Sequence, residues 1–310
     1  MSVRVRLGRS DLQVSPICYG SWQLSAKFWG DVPAEPVKAA MRRAFEVGVN
    51  FYDTADAYGD GYAETVMGEA LADLPRDQIV VATKVFHHFH DDGHRHPDLS
   101  GAYVWAECEA SLRRLKMDYL DLYQLHSFET LTPLAETTEA LERLKAAGKI
   151  RAYGVSNFTV EQLRLARTLG DYATLQPKYS LLDRQVEADL LPYCQAEDLG
   201  VLVYSPLALG LLTGKYDGSE TFTDFRADNP RFQGERFGTL AAAVRSLGPI
   251  AEKYSLSIVQ LVLAATLAGP KPDVAIVGIK NPAQIESAAG AMGKTIGRED
   301  YFAIRSALNL

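Results

Sequence analysis

The chain has 310 residues, 47% of them hydrophobic and 23% charged, with a net charge of −7. That composition supports a large apolar core, and the acidic balance argues against general affinity for nucleic acid or anionic membrane. The three cysteines, Cys18, Cys108 and Cys194, are scattered and odd in number, so they suggest no disulfide framework and predict buried thiols in a reducing cytoplasm.

The opening MSVRVRLGRSDLQVSPI has no apolar signal core. Within it, VRVRLGRSDLQV alternates with period two around Gly-Arg-Ser, predicting a hairpin that plugs a barrel floor. Strands are then expected at SPICYG, GVNFYDTA, QIVVATKV, DYLDLYQLH, IRAYGVS, YATLQPKY, GVLVYSP and DVAIVGI. Helical patterns lie between them, among them PAEPVKAAMRRAFEVG, LSGAYVWAECEASLRRLK and PLAETTEALERLKAAGK. The last predicts Thr132 as N-cap, Pro133 at the first helical position and a stop at Gly148. SIVQLVLAATLAG is too short for a membrane span and reads as a buried helix. Strands alternating with helices throughout, without a linker, predict one (β/α)8 TIM barrel over residues 1–310. From Leu207 to Gly238 a polar, Gly-rich segment breaks the rhythm after the seventh strand, and such long loops are usually functional. The NFT at Asn157 matches a glycosylation sequon by chance in a chain without secretion.

Barrel chemistry sits at the C-terminal strand ends. The second strand ends at Asp53 with Tyr58 in the loop beyond, the third at Lys84 and the fourth at His126. A lysine ending an apolar strand needs a carboxylate partner, and Asp53 on the neighbouring strand is available. An adjacent ammonium stabilises a phenolate, so Tyr58 is expected below the ordinary tyrosine value of about 10. His126 would orient a substrate oxygen.

DTADAYG, ATKV, DLYQLH, GVSNF and YSPLALGLLTGKY, in this order over nearly the whole chain, resemble the signatures of the aldo-keto reductases. RFQGERF and GIKNPAQIE bring the pattern near bacterial inositol and sugar dehydrogenases. The resemblance implies a catalytic tetrad of Asp53, Tyr58, Lys84 and His126, and NADP(H) bound at the strand C-termini. By the same resemblance Tyr204 would stack on the nicotinamide, and Ser156, Asn157 and Gln176 would bind its carboxamide. Ser205, Pro206, Leu207, Gly210 and Leu211 would line the phosphate path, with Lys215 supplying charge and Arg226 closing over it. Lys280 would pair with the 2′-phosphate and Gln284 would face the adenine, while Ser21, Trp22 and Gly278 complete the cofactor contacts. Ser287 and Ala288 stand where relatives often carry Glu-Asn, which removes adenine contacts and leaves the preference for NADP over NAD open. The chemistry of the chain agrees in part. It has no GxGxxG after the first strand, and GLLTGKY lacks the Ser or Thr of a nucleotide-triphosphate loop.

FHHFHDDGHRH (residues 86–96) holds five of the six histidines and directly follows Lys84. A metal-dependent hydrolase barrel also needs histidines and an aspartate on later strands, and only His126 remains elsewhere. No catalytic metal is therefore expected. The segment is read as a solvated rim at the substrate entrance, with His87 and His88 facing Trp22, Phe28 and Trp29. The substrate is a small carbonyl compound, sugar or polyol; a cofactor-sensing subunit resembling potassium channel β-subunits is the alternative. Monomer and homo-oligomer both remain open.

Overall fold

The computed structural model describes residues 3–90 and 92–309. Eight parallel strands close into a barrel in chain order. They are β1 (Ile17–Gly20), β2 (Phe51–Asp53), β3 (Val80–Val85), β4 (Leu120–Leu125), β5 (Ile150–Ser156), β6 (Thr174–Gln176), β7 (Gly200–Tyr204) and β8 (Val274–Gly278). The ring closes where Ile276 of β8 pairs with Cys18 of β1. All eight coincide with the strands expected from sequence.

The strands are largely apolar on both sides because both sides are largely buried. On β3, Val81 and Val85 join the layer under the helices, whereas Val80 and Ala82 point into the barrel. The same alternation carries Lys84 inward, one step above Ala82. Inward residues of the lower barrel are apolar: Cys18, Phe51, Leu122, Leu202 and Ile276 pack there. The upper layer holds Asp53, Lys84, Gln124 and Gln176, all buried. Polarity therefore rises towards the C-terminal end.

The helices wrap outside. α1 (Ala34–Glu46) buries Val37, Ala40, Met41 and Ala44, a spacing that makes one stripe. α2 (Gly101–Leu115) starts at Ser100, whose side chain accepts the Tyr103 N–H. α3 (Leu134–Ala146) begins one residue later than expected: Pro133 occupies the N-cap, and the Thr132 N–H is taken by Glu129. Pro133 has extended backbone there, so it precedes the first turn rather than forming it. Gly148 follows the helix at φ +72°, the left-handed stop that the sequence suggested. After α4 (Gly234–Arg245), α5 (Ile258–Leu267) is the buried helix anticipated at SIVQLVLAATLAG, capped by a reciprocal Ser257–Gln260 box. Among the described residues no single helix is long and apolar enough to cross a membrane.

The segment after β7 is not an open loop. Short 3-10 turns at Ala208–Thr213, Phe225–Asp228 and Pro230–Phe232 fold it over the barrel mouth. Leu211, Leu212, Phe232 and Phe237 anchor it in a small apolar core of its own.

Below the barrel, Val5–Arg6 pairs antiparallel with Gln13–Val14, and Leu7, Leu12 and Val14 are fully buried against the lower barrel residues. The floor is plugged as the sequence suggested. Gly8 makes the close approach possible: its φ is +54°, and a Cβ there would lie 2.1 Å from the Gly200 nitrogen. Gly8→Ala should therefore destabilise the protein by at least about 2 kcal/mol, combining left-handed backbone strain with overpacking. Urea denaturation of the two proteins checks this; an unchanged midpoint would mean that the hairpin docks loosely.

Candidate active site

Register explains how four side chains meet. Asp53, at the end of β2, and Lys84, one residue before the end of β3, both point inward from adjacent strands. Lys84 is 0% exposed, so its ammonium must find partners within the protein. It donates to Asp53 Oδ1 at 2.7 Å, to the Thr54 carbonyl at 2.8 Å and to the Tyr58 hydroxyl at 3.5 Å. An ammonium has three donors, and all three are used. Gln176 donates to the other oxygen of Asp53 at 2.9 Å. The His126 ring stands edge-on to Tyr58, with centroids 5.8 Å apart. The structure thus brings together the four residues expected to form the tetrad.

The electrostatics differ from expectation at one point. Burial raises the Tyr58 hydroxyl above its ordinary value; Lys84 pulls it down without overcoming that cost. Tyr58 is therefore a phenol at neutral pH, not the acidified group suggested by its neighbour's charge alone. For Lys84, burial disfavours the ammonium, but Asp53 and Tyr58 outweigh burial and the net shift is upward. His126 is pushed down to about 3 by burial, the Lys84 charge and His87, and is a neutral imidazole.

The tetrad opens into a cavity of about 1450 Å³. Ser21, Trp22, Phe28, Trp29, His87, Ser156, Asn157, Gln176, Tyr204, Ser205, Pro206, Leu207, Gly210, Lys215, Arg226, Gly278, Lys280 and Gln284 all line it, as anticipated. Two expected residues do not. Leu211 is 1% exposed and points into the small core under the β7 segment, with Leu209 taking its place on the wall. His88 does not line the cavity: it lies on the opposite hairpin face from its neighbour His87 and is stacked on Tyr103. Lys178, Thr213 and Phe225 also line the cavity and were not foreseen. Phe225 lies 5.4 Å from Trp22 and 5.0 Å from Trp29, a cross-cavity contact between segments far apart in the chain that no local pattern reveals.

One end of the cavity suits a polyanion. Burial lowers the Lys280 ammonium, and so do the nearby charges of Arg226 and Lys215, while Asp224 opposes them. Three cations from separate elements thus converge without enough negative charge among them. Lys280 lies 4.7 Å from the Trp29 ring centroid and the Arg226 guanidinium 5.3 Å. Beside them Ser205, Ala208, Leu209 and Gly210 all have positive φ, a strained backbone of the kind found at ligand clamps. The buried Ser21 hydroxyl, also on the wall, has no partner. Near the tetrad, several expected carboxamide ligands are already engaged. Ser156 donates to the Gln176 carbonyl, Asn157 donates to the His126 carbonyl, and Tyr204 donates to Asn157 Oδ1.

The histidine segment forms a hairpin, His87–Phe89 pairing with Arg95–Pro97. His87, Gly93, His94 and Arg95 reach the cavity, so the segment is a rim at the mouth. His88, His96 and Asp98 hold ligand atoms within 4.8 Å of one another, a grouping the sequence reading did not pick out. The signal was present: period-two spacing on each side of Gly93 puts His88 opposite His96.

Comparison with known proteins is consistent across the chain. The profile of the Aldo/keto reductase family matches residues 16–309. The chain is 36% identical to aldo-keto reductase YhdN of Bacillus subtilis, over 96% of this chain and 91% of that protein. It is 33% identical to the NADH-specific methylglyoxal reductase of Escherichia coli, over 97% of each. Among solved structures, a glycerol dehydrogenase from Gluconobacter oxydans is 33% identical with a TM-score of 0.90, covering 98% of this chain and 94% of that one. An aldo/keto reductase from Klebsiella pneumoniae, solved with NADP and acetate, is 31% identical with a TM-score of 0.77, covering 99% and 95%.

Lys84→Met should leave Asp53 buried beside an apolar chain, held only by Gln176. Breaking a buried pair this way costs about 3–5 kcal/mol. The double variant Asp53→Asn with Lys84→Met should lose less, because no buried charge is stranded. Chemical denaturation of the wild type and both variants reads this directly; equal losses would mean that the pair is not what holds the upper barrel layer.

Proposed function

The chain belongs to the aldo/keto reductase family of oxidoreductases, and from that premise we propose that it interconverts a carbonyl and the corresponding alcohol using NADP(H). The observation that carries the reading is the buried Lys84 ammonium, fixed by Asp53 and turned towards the Tyr58 hydroxyl at the base of a cavity with a cationic far end. A bound nicotinamide supplies the hydride. Tyr58 holds the proton at its hydroxyl and delivers it to the substrate oxygen in reduction. Lys84 stabilises the phenolate left behind, and Asp53 keeps Lys84 in place. His126, neutral and edge-on to Tyr58, offers a ring N–H to the same oxygen. In alcohol oxidation the same residues run in reverse, with Tyr58 as the proton acceptor.

The substrate is a small aldehyde, ketone, sugar or polyol. Trp22, Phe28, Trp29 and His87 supply aromatic walls against which such a molecule lies, while Tyr58 and His126 bind its oxygen. Lys215, Arg226 and Lys280 favour the more highly charged cofactor. Against this stands the NADH-specific name of the Escherichia coli relative. Cofactor choice therefore turns on Lys280.

Tyr58→Phe should lower turnover by about 10²–10⁴-fold, the range of a lost general acid, with NADPH affinity close to wild type. Because burial places the Tyr58 hydroxyl above its ordinary value, the wild-type reduction rate should hold from neutral pH to about 10. Steady-state kinetics at saturating cofactor decide both points. A reduction rate already falling at neutral pH would contradict the resting phenol.

A 2′-phosphate contact to an ammonium is worth about 1.5–3 kcal/mol, or roughly 10- to 100-fold in affinity. Lys280→Ala should weaken NADPH by that factor and barely affect NADH, as titrated by nicotinamide fluorescence. Equal losses for both cofactors would remove Lys280 from 2′-phosphate recognition.

A further inference from the structure

Catalysis leaves most of the histidine hairpin unused. Residues alternate between its two faces, as in any two-stranded ribbon. His87 and Arg95 belong to the face turned to the cavity. His88 pairs directly across the ribbon with His96, and the His90 N–H bonds to the His94 carbonyl further along. His88, His90 and His96 therefore gather on the outer face, while His94, at the hairpin end, also reaches the cavity. Their rings are packed together: His88 and His90 centroids are 4.8 Å apart, His88 and His96 5.1 Å, and His90 and His96 5.0 Å.

Three features make this face more than a run of polar side chains. First, Asp98 brings a carboxylate to it: Oδ1 accepts the Ser100 N–H, and Oδ2 lies 3.0 Å from His88 Nδ1. Two donor atoms at that separation can both reach one ion about 2.0–2.2 Å away. Second, the rings are oriented before any ion arrives. Tyr103, on the first turn of α2, stacks on His88 with centroids 4.3 Å apart, and His90 Nε2 lies 3.0 Å from His96 Nδ1. Third, His88, His96 and Asp98 all hold ligand atoms within 4.8 Å of one another.

We propose that the outer face of this hairpin binds a divalent transition-metal ion, of the zinc, nickel or cobalt class, through His88, His96 and Asp98. Two imidazoles and a carboxylate suit these borderline ions better than calcium or magnesium, which prefer all-oxygen sites. The ion would staple the two hairpin strands to the start of α2. It lies outside the tetrad and takes no part in hydride or proton transfer. Its effect is mechanical, holding His87 and Arg95 on the rim, where Arg95 also pairs with Asp60, two residues beyond Tyr58.

The test uses tag-free full-length protein, stripped with chelator and titrated with Co²⁺ and then with Zn²⁺. Isothermal titration should give one ion per chain with micromolar or tighter affinity, and bound Co²⁺ should show a visible ligand-field band that Zn²⁺ displaces. His88→Ala with His96→Ala should weaken binding at least 100-fold, and Asp98→Asn at least 10-fold. His87→Ala, on the other face, should bind metal within about twofold of wild type. Circular dichroism of the double variant establishes that it is folded. Two outcomes would overturn the proposal: millimolar or multi-site binding by the wild type, or affinity that survives the double substitution.

Discussion

A lysine with no exposure to solvent governs the upper half of this barrel. Removing an ammonium from water costs several kcal/mol, and only close, well-directed partners offset it. Lys84 has Asp53 and the Thr54 carbonyl at close range and the Tyr58 hydroxyl at 3.5 Å. The constraint propagates. Asp53 is held on its second oxygen by Gln176, and the Gln176 carbonyl is held by Ser156. Asn157 then ties the His126 backbone to the Tyr204 hydroxyl. Side chains from β2, β3, β5, β6 and β7 are thus drawn into one polar layer by a single charge that has nowhere else to go.

The same economy explains the division of labour along the barrel axis. Below Lys84 the inward residues are apolar and fully packed, which supplies stability without specifying chemistry. Above it the segment after β7 and the loop after β1 lean across the mouth, joined by Phe225, Trp22 and Trp29. Cations brought in by the β7 segment and by Lys280 then share a small volume. Their mutual repulsion is a cost in the protein alone, and an anionic ligand relieves it.

Much of this was legible in the sequence, for identifiable reasons. The eight strands announce themselves as short apolar runs between amphipathic helices, and Lys84 is conspicuous because an apolar strand seldom ends in an ammonium. Other features depend on distance or burial, which no linear pattern carries. Leu211 looks like a wall residue beside Gly210, but a turn with left-handed backbone sends it into a separate core. The direction of the Tyr58 shift is a contest between a visible neighbour and an invisible depth, and depth wins. The facing of His88 is a parity question. It was answerable from period-two alternation once the segment is recognised as a hairpin instead of a loop.

The plug at the barrel floor has a consequence for traffic. With Leu7, Leu12 and Val14 sealing the N-terminal end, the cavity is a blind pouch rather than a tunnel. Among the described residues, whatever binds in that pouch meets the protein from the side of the C-terminal mouth. The histidine hairpin and the β7 segment border that mouth, so its width is set by two segments that lie outside the barrel strands.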